Sequence, residues 1–165
     1  MKVSLHKWLK RFPRPMLAAG VFFAIALVIN HSGKGLDWMF ADPTNNMVFV
    51  LADAASRAFG RLYPLAAPYL GLFAGFISGS EASAIAMLTG LHLTIASKIG
   101  AIGIVVAAAS GIGGGLASVI SPAKLQNAAA SIDRIGEEAR VIPLTFVISL
   151  IITGVCAVLT LIWGY

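Results

Sequence analysis

Charged side chains are scarce in this sequence. Aspartate, glutamate, lysine and arginine together supply 12% of its 165 residues, whereas hydrophobic residues supply 58%. Soluble domains carry about a quarter charged residues, so the composition excludes an ordinary water-soluble domain. With a mean hydropathy of +0.88, the chain is predicted to be an all-α integral membrane protein, because helices satisfy their own backbone hydrogen bonds in lipid.

The residues that enzymes and metal sites rely on are also few. The single cysteine, Cys156, lies in an apolar run and has no cysteine with which to form an internal disulfide, so we expect it to pack as a small hydrophobic residue. The three histidines, His6, His31 and His92, lack the spacing of metal ligands. Ser80 has no histidine and aspartate in a recognisable triad pattern. The sequence therefore predicts no enzyme, no metal site and no cofactor.

The basic residues are concentrated at the N-terminus. Residues 1–15 hold five of the twelve lysines and arginines, namely Lys2, Lys7, Lys10, Arg11 and Arg14. Basic residues before a first membrane helix mark the cytoplasmic side, so 1–15 is predicted to be a basic cytoplasmic segment. No aromatic–basic pattern follows, which excludes nucleic acid as a partner and favours membrane lipids. A signal peptide is disfavoured because no cleavage site follows the apolar run 16–29.

Apolar runs and their interruptions predict one membrane module over 16–165. The predicted segments are a helix 16–30, a helix 47–63, a hairpin or broken segment 66–98, a broken helix 101–132 and a helix 141–163. Asp53 and Arg57 are four residues apart on the second helix, so they are predicted to form an ion pair on a polar face. A substrate site at these two charges is the disfavoured alternative, because charges at helical spacing usually form a polar face.

The most informative polar residue is Glu81, which lies between two apolar arms. An ionisable group at membrane depth is costly and normally faces a partner, a cavity or a substrate. The polar stretch 78–83 around it predicts the tip of a re-entrant hairpin, since irregular backbone is tolerated only inside protein or beside a cavity. A single kinked helix is the weaker alternative. The candidate site residues at the tip are Ser78, Gly79, Ser80, Glu81 and Ser83.

A second interruption is predicted at 110–115, where four of six residues are glycine. Each glycine costs a helix interior about 1 kcal/mol relative to alanine, so this stretch is expected to unwind and expose backbone groups. It lacks the Gly-Lys-Ser/Thr ending of a phosphate loop. Ser121 and Pro122 suit the start of another helix, whose N-terminus favours an anion. The candidate site residues here are Ser110, Gly113, Gly114 and Ser121.

The glycine row before the tip predicts close helix packing. Gly71, Gly75 and Gly79 recur at every fourth residue, and such small-residue rows let a neighbouring helix approach closely. Two interrupted segments in succession are typical of the binding site of a secondary transporter. The alternative is a membrane subunit that does not transport and whose glycine rows serve only assembly.

These motifs resemble the C-terminal third of the L-lactate permease family. The run Gly79-Ser80-Glu81-Ala82-Ser83 is similar to the family's Gly-Ser-Asp-Thr-Ser-Ser-Asn motif. The family's Gly-Gly and Ile-Ser-Pro elements are matched in this chain at 113–114 and 120–122, and the family's Gly-x-Glu is matched at 136–138. The resemblance covers roughly residues 64–140, and the final helix is compatible with it.

The resemblance implies a proton-coupled symporter of small 2-hydroxymonocarboxylates such as lactate and glycolate in a plasma membrane. It implies one partial repeat of an inverted-repeat fold, with the hairpin tip facing the broken helix. Glu81 would then carry the proton. Family members are several times longer, so the resemblance also implies a second permease-like chain, a homo-oligomer or a truncated remnant.

Overall fold

The computed structural model describes residues 13–40, 42–132, 134 and 136–165. The predicted cytoplasmic segment, 1–15, therefore lies almost entirely outside the described residues. Within the described part the regular structure is helical, with no strand and an isolated β-bridge between Lys34 and Phe40. The prediction of an all-helical chain is confirmed for this part.

Seven α-helices follow one another in the described residues. They are α1 (Pro13–His31), α2 (Met47–Phe59), α3 (Tyr63–Ser78), α4 (Glu81–Ile99), α5 (Gly103–Leu116), α6 (Pro122–Ser131) and α7 (Glu138–Trp163). Short 3-10 turns lie at Pro43–Asn45, Gly60–Leu62 and Ala117–Val119. Among the described helices, two stretches are long and apolar enough to cross a membrane, Glu81–Ile99 and Ala139–Trp163, and Gly20–His31 and Gly103–Val119 are shorter apolar helices.

The second helix ends earlier than the predicted 47–63. It stops at Phe59, because Gly60 adopts a positive φ of 49° that few other residues tolerate. A 3-10 turn follows, and α3 then begins with Pro64 in its first turn, where a proline costs no helical hydrogen bond. The hairpin therefore has a longer first arm than the predicted 66–98 segment.

The predicted break at 110–115 is absent from the structure. Helix α5 runs through the glycines to Leu116, and the interruption lies at the 3-10 turn Ala117–Val119, before α6 starts at Pro122. The glycines are used for packing instead. A Cβ atom on Gly113 would collide with the carbonyl oxygen of Pro68 on α3. Close contact between the two helices offsets the low helix propensity of glycine, which the sequence prediction treated as decisive.

Helices α3 and α5 run parallel at the centre of the molecule. Gly71 lies against Ser110, and one turn further along Gly75 lies against Gly114. A Cβ atom on Gly75 would be only 2.7 Å from the Gly114 carbonyl oxygen. The glycine row thus brings two helices of this chain into close contact.

Helices α4 and α7 run antiparallel to this central pair. On α4, Ile85 lies beside Gly111 of α5, and Leu93 lies beside Gly103 at the other end. On α7, Gly154 lies close to the Tyr69 hydroxyl of α3. Packing therefore brings the start of α4 next to the end of α5, which is where the two interruptions of the chain meet.

Candidate functional site

The hairpin tip is a turn of two residues between α3 and α4. Gly79 ends α3 in the left-handed conformation (φ 63°, ψ 13°), and its N–H donates to the Gly75 carbonyl oxygen at 2.9 Å. Ser80 is extended, and its Oγ accepts a hydrogen bond from the Ser83 N–H at 3.3 Å. The Ser78 hydroxyl donates to the Ser80 carbonyl oxygen at 2.9 Å. A glycine C-cap and a serine N-cap thus make a sharp reversal of the chain.

Glu81 is the first residue of α4. A carboxylate in the first turn of a helix is stabilised by the helix dipole, so position alone accounts for part of its presence. Its side chain is exposed and forms no ion pair with the charged residues that the structure describes. It packs against the glycine end of α5, since a Cβ atom on Gly115 would lie 3.4 Å from its Cδ and one on Gly114 would lie 3.8 Å from its Cγ.

An open groove of about 460 Å³ extends from Glu81 between α4 and α5. Its other lining residues are Ile85, Thr89, Ile104, Ala107, Ala108, Gly111 and Ile112. Glu81 is the only ionisable residue of this lining, and the hydroxyl of Thr89 donates to the Ile85 carbonyl oxygen at 2.7 Å. The groove therefore combines one carboxylate with apolar walls.

Three of the candidate serines are buried. Ser83, Ser110 and Ser121 are 0%, 4% and 1% exposed. The Oγ atoms of Ser83 and Ser121 make no hydrogen bond with any described residue. A buried polar group without a partner costs about 1–3 kcal/mol. A hydrogen bond from either hydroxyl to a ligand or a water would remove that cost.

Of the candidate residues predicted to face the hairpin tip, the structure brings only some close to Glu81. Gly114 and Gly115 contact Glu81, whereas Ser110 and Gly113 pack against α3 on the other side of α5. Gly113 and Ser110 thus support the helix that forms the wall. Ser121 lies after the 3-10 turn, at the start of α6.

One buried polar pair was missed by the sequence analysis. The Tyr63 hydroxyl and the His92 Nδ1 atom are 2.7 Å apart, and both residues are fully buried. The Nε2 atom of His92 has no hydrogen-bond partner among the described residues. The two residues are 29 positions apart on different helices, so no local sequence pattern points to their contact.

The predicted ion pair on α2 is confirmed. Arg57 Nη2 lies 2.8 Å from Asp53 Oδ2, and Lys98 Nζ of α4 lies 2.9 Å from Asp53 Oδ1. The ammonium of Lys98 also lies 4.0 Å from the ring centre of Phe49. These charges join α2 to the far end of α4, away from the tip.

Comparison with known proteins identifies the family. Residues 1–165 match the family described as L-lactate permease. The glycolate permease GlcA of Escherichia coli (strain K12) is 30% identical over 151 residues, which are 92% of this chain and 24% of that protein. The L-lactate permeases of Escherichia coli (strain K12) and of Salmonella typhimurium are 28% identical over 157 residues, which are 95% of this chain and 26% of each.

The chain spans about a quarter of the length of these curated relatives. No solved structure is significantly similar to it. The relatives are permeases, which confirms the prediction that the chain is not an enzyme. Together with the match over the whole sequence, these findings show that the chain belongs to the L-lactate permease family.

Proposed function

We propose that this chain is part of a secondary transporter that moves a small 2-hydroxymonocarboxylate across the cell membrane together with protons. Membership of the L-lactate permease family supports the transport of such an anion, and the relatives are named for lactate and glycolate. The observation that carries the proposal is the position of Glu81. A lone carboxylate lies where the hairpin tip meets the end of α5, at the head of an apolar groove.

In this proposal Glu81 binds and releases the coupled proton. An acidic residue at membrane depth normally faces a partner, a cavity or a substrate, and a proton carried by Glu81 would offset the negative charge of an anionic substrate. Polar atoms at the two interruptions would contact the substrate or hold the backbone in place. These residues are Ser78, Gly79, Ser80, Ser83, Ser110, Gly113, Gly114 and Ser121.

We also propose that α3 and α4 form a re-entrant hairpin and that α5 and α6 form a broken helix. Helix α5 has 14 residues, about 21 Å, and α3 has 16 residues, about 24 Å. Both are shorter than the hydrocarbon core of about 30 Å, whereas α4, with 19 residues or about 28 Å, is close to that length. The hairpin tip and the 3-10 turn after α5 lie side by side, as expected of one repeat of an inverted-repeat transporter.

The chain spans about a quarter of its relatives' length. In this proposal it works together with a second permease-like chain or with further copies of itself. The basic residues before α1 favour a cytoplasmic N-terminus and a multi-pass arrangement.

Glu81→Gln tests the proposal. The amide keeps the size of the side chain but binds no proton at the relevant pH. In vesicles that contain the complete transporter, we expect accumulation of labelled L-lactate driven by a pH gradient to fall by at least about tenfold, which corresponds to about 1.4 kcal/mol of lost coupling. Exchange of internal for external L-lactate, which needs no net proton movement, is expected to persist.

Glu137→Gln is the matched control, because Glu137 forms an exposed ion pair with Arg134 and does not line the groove beside Glu81. Unchanged proton-driven accumulation in Glu81→Gln would refute the coupling role. Full L-lactate uptake in cells that lack this chain but keep a copurifying permease-like chain would instead favour a subunit used only for assembly.

A further inference from the structure

Lys124 extends from α6 to the interruption of the broken helix. Its Nζ atom donates a hydrogen bond to the Ser118 Oγ atom at 2.6 Å. The side chain is half-buried, and no carboxylate that the structure describes lies within ion-pair distance of it. An ammonium group has three donors, so at least two remain after the bond to Ser118.

This ammonium group lies close to the proposed proton site. Ser118 follows Gly115, which contacts Glu81, by three residues, which is one turn of helix. The neighbouring Ala117 contacts Gly75 on the first arm of the hairpin. Lys124 is therefore placed about one helical turn beyond the point where the hairpin tip meets α5.

Two further features of this place favour an anion. Ser121 is 1% exposed, and its Oγ atom has no partner among the described residues, although it occupies the N-cap position of α6. Helix α6 has 10 residues, and its N-terminus contributes partial positive charge. A cation, two hydroxyls and a helix N-terminus thus lie within one stretch of seven residues.

We propose that Lys124, with Ser118 and Ser121, binds the carboxylate group of the transported substrate. The inference rests on the proposed function and adds to it the part of the site that recognises the anion. Glu81 cannot do this alone, because an ionised carboxylate repels another carboxylate. A carboxylate between the ammonium and the two hydroxyls accepts charge-assisted hydrogen bonds, while Glu81 remains available for the proton.

The test compares L-lactate with its neutral amide, lactamide, which keeps the hydroxyl and lacks the charge. Binding of both is measured on membranes that contain the complete transporter, for the wild type, Lys124→Gln and Lys124→Arg. We expect Lys124→Gln to weaken L-lactate binding by about tenfold or more and to change lactamide binding by less than about twofold. Lys124→Arg is expected to keep most of the preference for L-lactate, because the charge and its donors remain.

Lys34→Gln serves as the control, since it removes the same charge from the loop near Trp38. Unchanged L-lactate binding in Lys124→Gln would overturn the inference while leaving the proposed function intact. An equal loss for L-lactate and lactamide would also overturn it, since that is the result of a general structural change. If the wild type binds neither L-lactate nor glycolate, the proposed function itself fails.

Discussion

The two ends of the α3–α4 hairpin use polar residues in opposite ways. At the tip, Glu81 is exposed to a groove and Ser83 keeps a buried hydroxyl without a partner. At the base, Tyr63 and His92 bond to each other at 2.7 Å inside a fully buried cluster. The base therefore ties the two helices together through one polar pair, although the His92 Nε2 atom has no partner among the described residues, whereas at the tip Glu81 lines a groove.

The surroundings of the base explain its role. The buried cluster around Tyr63 includes Ile95 and Val106, so α3, α4 and α5 all meet there. A hydrogen bond in an apolar core is strong, and leaving one of its groups without a partner is costly. The pair thus fixes how α4 is placed against α3 at the end of the hairpin that lies far from Glu81.

The largest effect on stability is expected where α5 packs closely against α3. Gly113→Val would place side-chain atoms against the Pro68 carbonyl oxygen, and overpacking of this kind costs about 1–3 kcal/mol or more. We expect a clear fall in melting temperature in detergent and loss of L-lactate uptake. Gly20→Val is the control, because none of the described residues comes within 4 Å of its added Cβ atom. Equal stability of the two variants would contradict close packing of α3 on α5.

A smaller effect is expected at the base. Tyr63→Phe removes the partner of the His92 Nδ1 atom, which costs about 1–3 kcal/mol for a buried group left without a hydrogen bond. The melting temperature should fall, whereas the preference for L-lactate over lactamide should stay as in the wild type. The double variant Tyr63→Phe/His92→Leu should regain part of the lost stability. A changed substrate preference in Tyr63→Phe would show that the base takes part in binding.

The smallest effect on stability is expected at the tip. Ser80→Ala removes the hydroxyl that accepts from the Ser83 N–H, and loss of an N-cap costs about 1 kcal/mol. L-lactate uptake is expected to fall clearly even though the loss of stability is small, because Glu81 is the next residue and its position depends on this turn. Ser80→Asp should restore the cap and the melting temperature. Normal L-lactate uptake in Ser80→Ala would show that transport does not depend on the Ser80 cap.

Local features were predictable because they depend on neighbouring residues. Gly79 and Ser80 favour a turn through their own backbone preferences, and Pro122 favours the start of a helix. The pair Asp53–Arg57 follows from the four-residue spacing of a helix. The predicted break at 110–115 was wrong, because the low helix propensity of glycine does not take into account the partner helix that packs on these residues.

The amino-acid sequence alone predicts a helical, apolar chain with one acidic residue at a turn between two helices. These properties follow from composition and from backbone preferences within a few residues. Three features are visible only in the folded chain: the break follows Leu116, Tyr63 contacts His92, and Lys124 reaches Ser118. Each of these depends on how separate segments of the chain pack or fold back on one another, and no local pattern encodes that contact.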